Sequence, residues 1–120
     1  MNTAALATKP PPAPSRVKGC CNPVAAPLQD ARADELAATY KALGDPTRIQ
    51  ILHILAAASD PVCVCDFTAA FDLGQPTISH HLATLREAGI VTSFKRGIWA
   101  FYQLNPAMPA AARAVIAQVA

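Results

Sequence analysis

The sequence predicts a mainly α-helical domain with one two-stranded β-hairpin, the arrangement of a winged helix-turn-helix. Two observations predict this fold. A short apolar helix ending near Phe71 is joined to a helix that begins at Gln75 by a brief turn at 72–74 that contains a glycine, as in helix-turn-helix units. Two segments rich in β-branched and aromatic residues follow, at 90–96 and 98–104, and these are expected to form a β-wing.

The first 29 residues are predicted to be a flexible arm that precedes a single domain at 30–120. Residues 1–19 have no apolar periodicity and are rich in proline, a composition that stays extended or disordered. No apolar run has the length of a signal-peptide core or a membrane span. We therefore expect a soluble, cytoplasmic protein that does not enter the membrane.

Two helices are predicted before the helix-turn-helix unit. The first, at 30–43, has apolar residues at i, i+4 and i+7, namely Leu36, Tyr40 and Leu43, which indicates one buried stripe. The second has Asp45 as its N-cap and Pro46 at its first position, and it continues through 47–57. It is apolar almost all round, so we expect it in the middle of the domain.

A helix within the stretch 75–89 is predicted to read DNA. Proline lies in its first turn and Gly89 just past its end, as is typical of helix boundaries. One face is apolar and is expected to pack on the core; it consists of Ile78, Leu82 and Leu85. The other face carries small or planar hydrogen-bonding groups, which suit the base edges of a major groove; the candidate DNA contacts are Gln75, Thr77, Ser79 and His80. The alternative is an ordinary solvated face.

The tip of the predicted wing carries two cations, Lys95 and Arg96, directly before Gly97. Because the net charge of the whole chain is only +2, nucleic-acid binding requires such a local basic surface, here placed to reach phosphates or a minor groove. Arg86 is expected to touch phosphate or solvent. These cations and the polar helix face argue against a winged helix that serves only for protein interaction. No arrangement of catalytic residues is apparent, so neither an enzyme nor a catalytic cofactor is expected.

The four cysteines form two pairs: Cys20 and Cys21 on the arm, and Cys63 and Cys65 in a Val-Cys-Val-Cys segment. In an extended segment the last two thiols share a face, and the start of the following helix is expected to lower their pKa. In a reducing cytosol, soft-metal binding or redox chemistry is more common than a structural disulfide. Inert thiols are the alternative.

The last predicted helix, at 106–120, is rich in alanine and has an apolar side formed by Val115, Ile116 and Val119. A short helix at the end of a small domain seldom buries such a face alone. A second copy of the chain is the simplest partner for it.

Three segments in this order resemble the arsenic-repressor (ArsR/SmtB) family of bacterial metal-sensing repressors. They are KALGDPTR at 41–48, CVCD at 63–66 and QPTISHHL at 75–82, and the similarity runs from about residue 35 to 104. The resemblance implies a homodimer that binds operator DNA and leaves it when a toxic metal or metalloid binds.

The resemblance also implies where the effector binds. Family members that use the CVCD segment often combine it with arm cysteines, commonly those of the other subunit; here these are Cys63 and Cys65 with Cys20 and Cys21. An adjacent arm pair is similar to that of some arsenite sensors, whereas cadmium and lead sensors have a spaced pair. The family's zinc site on the last helix needs Asp and His, which are absent from 106–120.

Ligand chemistry favours a soft ion as the effector. Sites made only of thiolates select soft ions, whereas zinc or nickel sensing would need imidazole or carboxylate ligands. As(III) or Sb(III) takes three thiolates in a pyramid, and Cd(II) or Pb(II) would more naturally use four. We therefore expect an arsenite-responsive (or antimonite-responsive) repressor; a Cd(II)/Pb(II) sensor of the same family and a metal-free thiol redox switch are the alternatives.

Overall fold

A computed structural model describes residues 21–120 of the chain. The helices in this part are α1 (Asp30–Leu43), α2 (Pro46–Ala57), α3 (Val64–Phe71), α4 (Gln75–Glu87) and α5 (Ala110–Val119), and the strands are β1 (Val62–Cys63), β2 (Val91–Arg96) and β3 (Trp99–Leu104). The chain divides into two compact units between Glu35 and Leu36, inside α1. Of the helices between residues 21 and 120, none has both the length and the apolar character needed to cross a membrane.

Helix α2 lies in the core, as its sequence predicts. Asp45 has extended backbone and its carboxylate accepts a hydrogen bond from the backbone N–H of Arg48, and Pro46 occupies the first helical position. The buried residues of this helix are Ile51, Leu52 and Leu55. The buried stripe expected on α1 is only partly present, since Leu43 is 4% exposed but Tyr40 is 59% exposed.

Helix α4 packs through the predicted apolar face. Ile78, Leu82 and Leu85 are completely buried. The helix ends at Glu87, and Gly89 follows with φ of +74°. Only glycine adopts this left-handed conformation at little cost, so Gly89 ends the helix as expected.

The sheet has three strands in the order β1-β3-β2, whereas a two-stranded wing was predicted. The additional strand is β1, whose Val62 and Cys63 pair with Tyr102 and Phe101 of β3. A two-residue strand has too few residues to show a periodic pattern. The hairpin β2–β3 turns at Gly97, which has φ of +65°, and Ile98 belongs to this turn and not to the strand.

Helix α5 begins at Ala110 rather than at 106. The backbone N–H of Ala107 donates to Oδ1 of Asn105, and that of Met108 donates to the Asn105 carbonyl. These bonds form a turn that delays the helix. The helix packs against α2, yet Val115 and Ile116 remain only half-buried. Its apolar face is therefore partly covered within the chain.

Candidate functional site

The Cys63 and Cys65 thiols lie side by side at the start of α3. Their sulfur atoms are 2.9 Å apart. Cys63 is buried and Cys65 is exposed, so only one of the pair faces solvent. The prediction that the two thiols lie together is confirmed, but the expected extended backbone is wrong. The strand ends at Cys63, which is the N-cap of α3, and Cys65 lies in the first helical turn.

The local environment raises the pKa of the Cys65 thiol above its ordinary value of 9.0. The first cause is the hydrogen bond with the Cys63 thiol, followed by desolvation and by the negative charges that Cys63 and Asp66 would carry. Sequence reasoning expected the helix N-terminus to lower this pKa. That expectation is wrong for Cys65, whose raised pKa makes it a thiol at neutral pH.

The arm cysteines are described only in part. Cys21 is exposed, and Cys20 lies outside the described residues, as does the proline-rich segment at 1–19. Within residues 21–120, no three His, Cys, Asp or Glu side chains are grouped so as to hold a metal ion. Cys63 and Cys65 supply two soft sulfur donors, which fit a thiophilic ion but do not complete a three-coordinate site.

The predicted DNA-reading residues lie at the N-terminal end of α4. Gln75, Thr77 and His80 are exposed and Ser79 is half-buried. Gly74 is the N-cap and offers no side-chain cap, which leaves the first turn open to a partner. Further along the helix, Thr84 donates to the backbone carbonyl of His80, so that hydroxyl is already engaged.

The two wing cations differ in their surroundings. Lys95 and Arg96 are both exposed, but neighbours in a strand point to opposite faces of the sheet. The Arg96 guanidinium carbon lies 5.7 Å from the ring centroid of Phe94 and 5.6 Å from that of Phe101. Arg86, at the end of α4, donates to the Ser93 hydroxyl of β2 at 3.3 Å. Helix α4, the second helix of the helix-turn-helix and thus its recognition helix, is therefore in direct contact with the wing formed by β2 and β3.

Arg48 connects three helices and was missed by sequence reasoning. Its Nε donates to the Ala42 carbonyl at 2.6 Å and its Nη2 to the Lys41 carbonyl at 3.3 Å. These carbonyls end α1 and have no partner within that helix. Nη1 lies 3.0 Å from Nδ1 of His81 in α4. A guanidinium only donates, so Nδ1 is the acceptor in this contact.

A signal for this network was present in the sequence. Asp45, Pro46 and Arg48 belong to one short segment, 45–48, in which Asp45 caps α2 and Arg48 reaches back to the end of α1. Asp45 Oδ2 also lies 3.8 Å from His81 Nδ1, too far for a hydrogen bond. The distant partner, His81, could not be found from local pattern, because it lies 33 positions further along the chain.

The helix-turn-helix, the three-stranded sheet and the exposed helix face define a winged helix-turn-helix domain of the type found in DNA-binding regulators. Residues 45–93 match the family described as bacterial regulatory protein, arsR family. A helix-turn-helix transcriptional regulator of Methanocaldococcus jannaschii is 46% identical over 71 residues, which cover 59% of this chain and 79% of that protein. The chain belongs to the arsR family of bacterial regulatory proteins.

Other relatives have names that mention arsenic. The arsenic resistance transcriptional regulator ArsR1 of Pseudomonas putida is 46% identical over 70 residues, 58% of this chain and 54% of that protein. The arsenical resistance operon repressor of Escherichia coli is 44% identical over 77 residues, 64% of this chain and 65% of that protein. The matched stretch thus spans less than two thirds of the length of either protein.

Solved structures support the fold. HlyU from Vibrio cholerae superimposes with a TM-score of 0.62 at 27% identity, covering 75% of this chain and 92% of that chain. The homodimeric winged helix-turn-helix DNA-binding domain of a Mycobacterium bovis protein gives the same TM-score of 0.62 at 27% identity, covering 78% of this chain and 85% of that chain. The prediction of a winged helix-turn-helix is confirmed.

Proposed function

We propose that this chain is an arsenite-responsive transcriptional repressor. It binds operator DNA as a homodimer in the cytoplasm and is released when As(III), or Sb(III), binds cysteine sulfur. The observation that carries this proposal is the pair of sulfur atoms 2.9 Å apart at the start of α3, because α3 is the first helix of the helix-turn-helix. The relatives of Pseudomonas putida and Escherichia coli named for arsenic resistance support the choice of ion.

The DNA-binding part of the proposal assigns base contacts to α4 and phosphate contacts to the wing. The exposed hydrogen-bonding groups of α4 are the base-reading candidates: Gln75, Thr77, Ser79 and His80. Amides, hydroxyls and imidazoles find complementary donors and acceptors in the major groove. Lys95 and Arg96 supply the positive charge that binds phosphate without regard to sequence.

A homodimer would place two α4 helices in successive major grooves, about 34–36 Å apart, on a roughly palindromic operator. Two apolar surfaces are available for the contact between subunits: exposed Tyr40 on α1, and the half-buried Val115 and Ile116 on α5. The homodimeric Mycobacterium bovis domain of the same fold supports this arrangement.

The effector site is proposed to combine Cys63 and Cys65 with arm thiols. Trivalent arsenic binds three sulfurs, and two sulfurs from the α3 segment leave a place for Cys20 or Cys21. We propose that the arm comes from the other subunit, because a ligand shared between chains biases their relative orientation and hence the spacing of the two α4 helices. A coupling free energy of about 1–3 kcal/mol changes affinity roughly five- to 150-fold, which suffices for release.

A metal-free redox switch is a second candidate, favoured by the same short distance between sulfurs. An oxidant would remove two electrons and two protons from the Cys63 and Cys65 thiols and join the sulfurs in a disulfide. A Cd(II)/Pb(II) sensor remains the alternative within the metal-sensing class, since these ions would use all four cysteines.

One titration separates the three candidates. An operator duplex is first recovered by selection from random DNA. Fully reduced protein bound to this duplex, in anaerobic buffer, is then titrated with arsenite, with Cd(II) or with a thiol oxidant. The release of the duplex is measured. The proposal predicts that arsenite releases the operator duplex and that each bound As(III) consumes three free thiols. Release by the oxidant alone would identify the redox switch, and tight binding of Cd(II) with weak binding of arsenite would identify the cadmium sensor.

A mixing experiment tests the arm. A Cys20→Ser/Cys21→Ser chain is combined with a Cys63→Ser/Cys65→Ser chain. If the arm acts across the dimer, each heterodimer regains one tight arsenite site, made from the arm of the second chain and the α3 cysteines of the first. Heterodimers with no tight site would show that each chain builds its own.

A further inference from the structure

A row of three side chains crosses the sheet from the thiol site to the wing. Cys63 of β1 is the register partner of Phe101 in β3, and Phe101 is the partner of Phe94 in β2. Directly opposite residues lie on the same face of a sheet, with Cβ atoms about 4.5–5.5 Å apart. The buried thiol and the two aromatic rings therefore form one continuous line.

The two rings at the wing end of this row support Arg96. The Phe94 and Phe101 rings are nearly parallel, 14° apart with centroids 5.6 Å from each other. The Arg96 guanidinium carbon is almost equidistant from the two centroids, at 5.7 and 5.6 Å, within the range of a cation–π interaction. This contact restricts a long exposed side chain that would otherwise sample many rotamers.

We propose that Phe101 and Phe94 are positioning residues that hold Arg96 in its DNA-binding orientation and transmit the state of Cys63 to it. The inference rests on the proposed function, in which Arg96 contacts DNA and Cys63 binds As(III). Lys95 lies on the opposite face of β2 and takes no part in this connection.

The construction of β1 makes the row responsive to a ligand. The strand has only two residues, so a small number of backbone hydrogen bonds holds it against β3. Cys63 is 6% exposed, so an ion bound to its sulfur must fit among the side chains that bury this residue. Cys63 is also the N-cap of α3, but its side chain makes no capping hydrogen bond that would hold it there. An ion that displaces Cys63 therefore displaces β1. Phe101 then moves with β1, the strand that pairs with it at Cys63, and the contact between its ring and the Arg96 guanidinium is lost.

The first test uses no effector. Operator affinity is measured for Phe101→Leu, Arg96→Ala and the double variant, with folding checked by thermal melting. Phe101→Leu is expected to weaken binding about two- to fivefold, the size of one exposed cation–π contact, and to have no further effect when Arg96 is already alanine. A loss of the same size in both backgrounds would overturn the positioning role. Phe94→Leu repeats the test should Phe101→Leu fail to fold.

The second test measures the ratio of operator affinity without and with sodium arsenite. Phe101→Leu is expected to bind arsenite as the wild type does but to show a ratio at least threefold smaller. Ile98→Ala is the control, because Ile98 lies in the turn of the hairpin, outside the row, and is 85% exposed; its ratio should equal that of the wild type. An unchanged ratio in Phe101→Leu would overturn transmission through the row. If the wild type itself shows no release, it is the proposed function that fails.

Discussion

Arg48 Nη1 donates to Nδ1 of His81 across 3.0 Å, and this bond joins α4 to α2, the helix that carries Arg48. The same guanidinium caps the last turn of α1 through the Ala42 and Lys41 carbonyls. Helix α4, to which the DNA-reading contacts are proposed to belong, is thus held by a residue that lies outside the helix-turn-helix.

Replacing Arg48 is expected to destabilise the domain. Arg48→Met keeps the aliphatic stem but removes the guanidinium hydrogen bonds to the Ala42 and Lys41 carbonyls and to His81 Nδ1, so the free energy of unfolding should fall by about 1–3 kcal/mol. Arg113→Met is the control, since exposed Arg113 makes a single bond, to the Pro106 carbonyl, and should cost less than about 1 kcal/mol. Urea unfolding measures both. Equal losses would show that Arg48 does not join the helices.

The cap of α2 should depend on pH. The backbone N–H of Arg48, with the Arg48 charge, lowers the pKa of Asp45 below its ordinary value of 3.8. A lowered pKa means that the ionised carboxylate stabilises the fold; the contribution is complete above the ordinary pKa and is lost as pH falls through the lowered one. Asp45→Ala should therefore cost about 1 kcal/mol at pH 7 and progressively less below about pH 4.

Asp45→Asn is the matched variant for this prediction. Asparagine caps helices about as well as aspartate but does not titrate, so this variant should be close to the wild type in stability at pH 7. Its advantage over Asp45→Ala should not change between pH 7 and pH 3. A stability difference between wild type and Asp45→Ala that is constant over this range would contradict the role of the carboxylate.

Much of the fold follows from local sequence signals. Asp45, Pro46 and Gly89 set the helix boundaries: the Asp45 carboxylate caps a backbone N–H, Pro46 needs no N–H donor in the first turn, and Gly89 accepts a positive φ. The same local logic fails for β1 and α3. Alternation in Val-Cys-Val-Cys indicates a strand, but helical hydrogen bonds begin at Val64, and β1 pairs with a strand nearly 40 positions away in the chain. Long-range pairing of two residues leaves no periodic signal.

The candidate site divides in the same way. The polar face of α4 could be predicted from helical spacing, and the proximity of Cys63 and Cys65 from their separation by one residue. The support of Arg96 by Phe94 and Phe101 could not, since it depends on the register of β2 against β3. Nor could the raised pKa of Cys65, which arises from the 2.9 Å contact with the Cys63 sulfur.

The recognition helix and the wing should contribute differently to DNA binding. Gln75→Ala or His80→Ala should lose about 1–3 kcal/mol on the selected operator and little on random DNA, if these residues read bases. Lys95→Ala should weaken both DNAs similarly and reduce the slope of log affinity against log salt by about one. Anisotropy titrations at several salt concentrations measure these effects. Equal losses on both DNAs for the helix variants would limit α4 to backbone contacts.

The identity of the ion should be visible in the pH dependence of binding. Because the pKa of Cys65 is raised, this group is a thiol near neutral pH. Neutral arsenous acid, As(OH)₃, reacts with three thiols to give three waters and no net proton, so its affinity should be almost constant between pH 6 and pH 8. Cd(II) displaces one proton per thiol, and its affinity should rise about tenfold per pH unit for each such ligand. Calorimetry in buffers of different ionisation enthalpy counts the protons; proton release with arsenite would show that thiolates, and not thiols, are the starting ligands.

Operator release by arsenite in the Cys63→Ser and Cys65→Ser variants tests the central claim most directly. Anisotropy of a labelled operator is measured for wild type and each variant, with and without sodium arsenite, under reducing conditions. The wild type should bind and lose roughly five- to 150-fold in affinity with arsenite, whereas both variants should bind the operator equally well without arsenite and stay bound with it. Normal release by both variants, or no release by the wild type, would contradict the account.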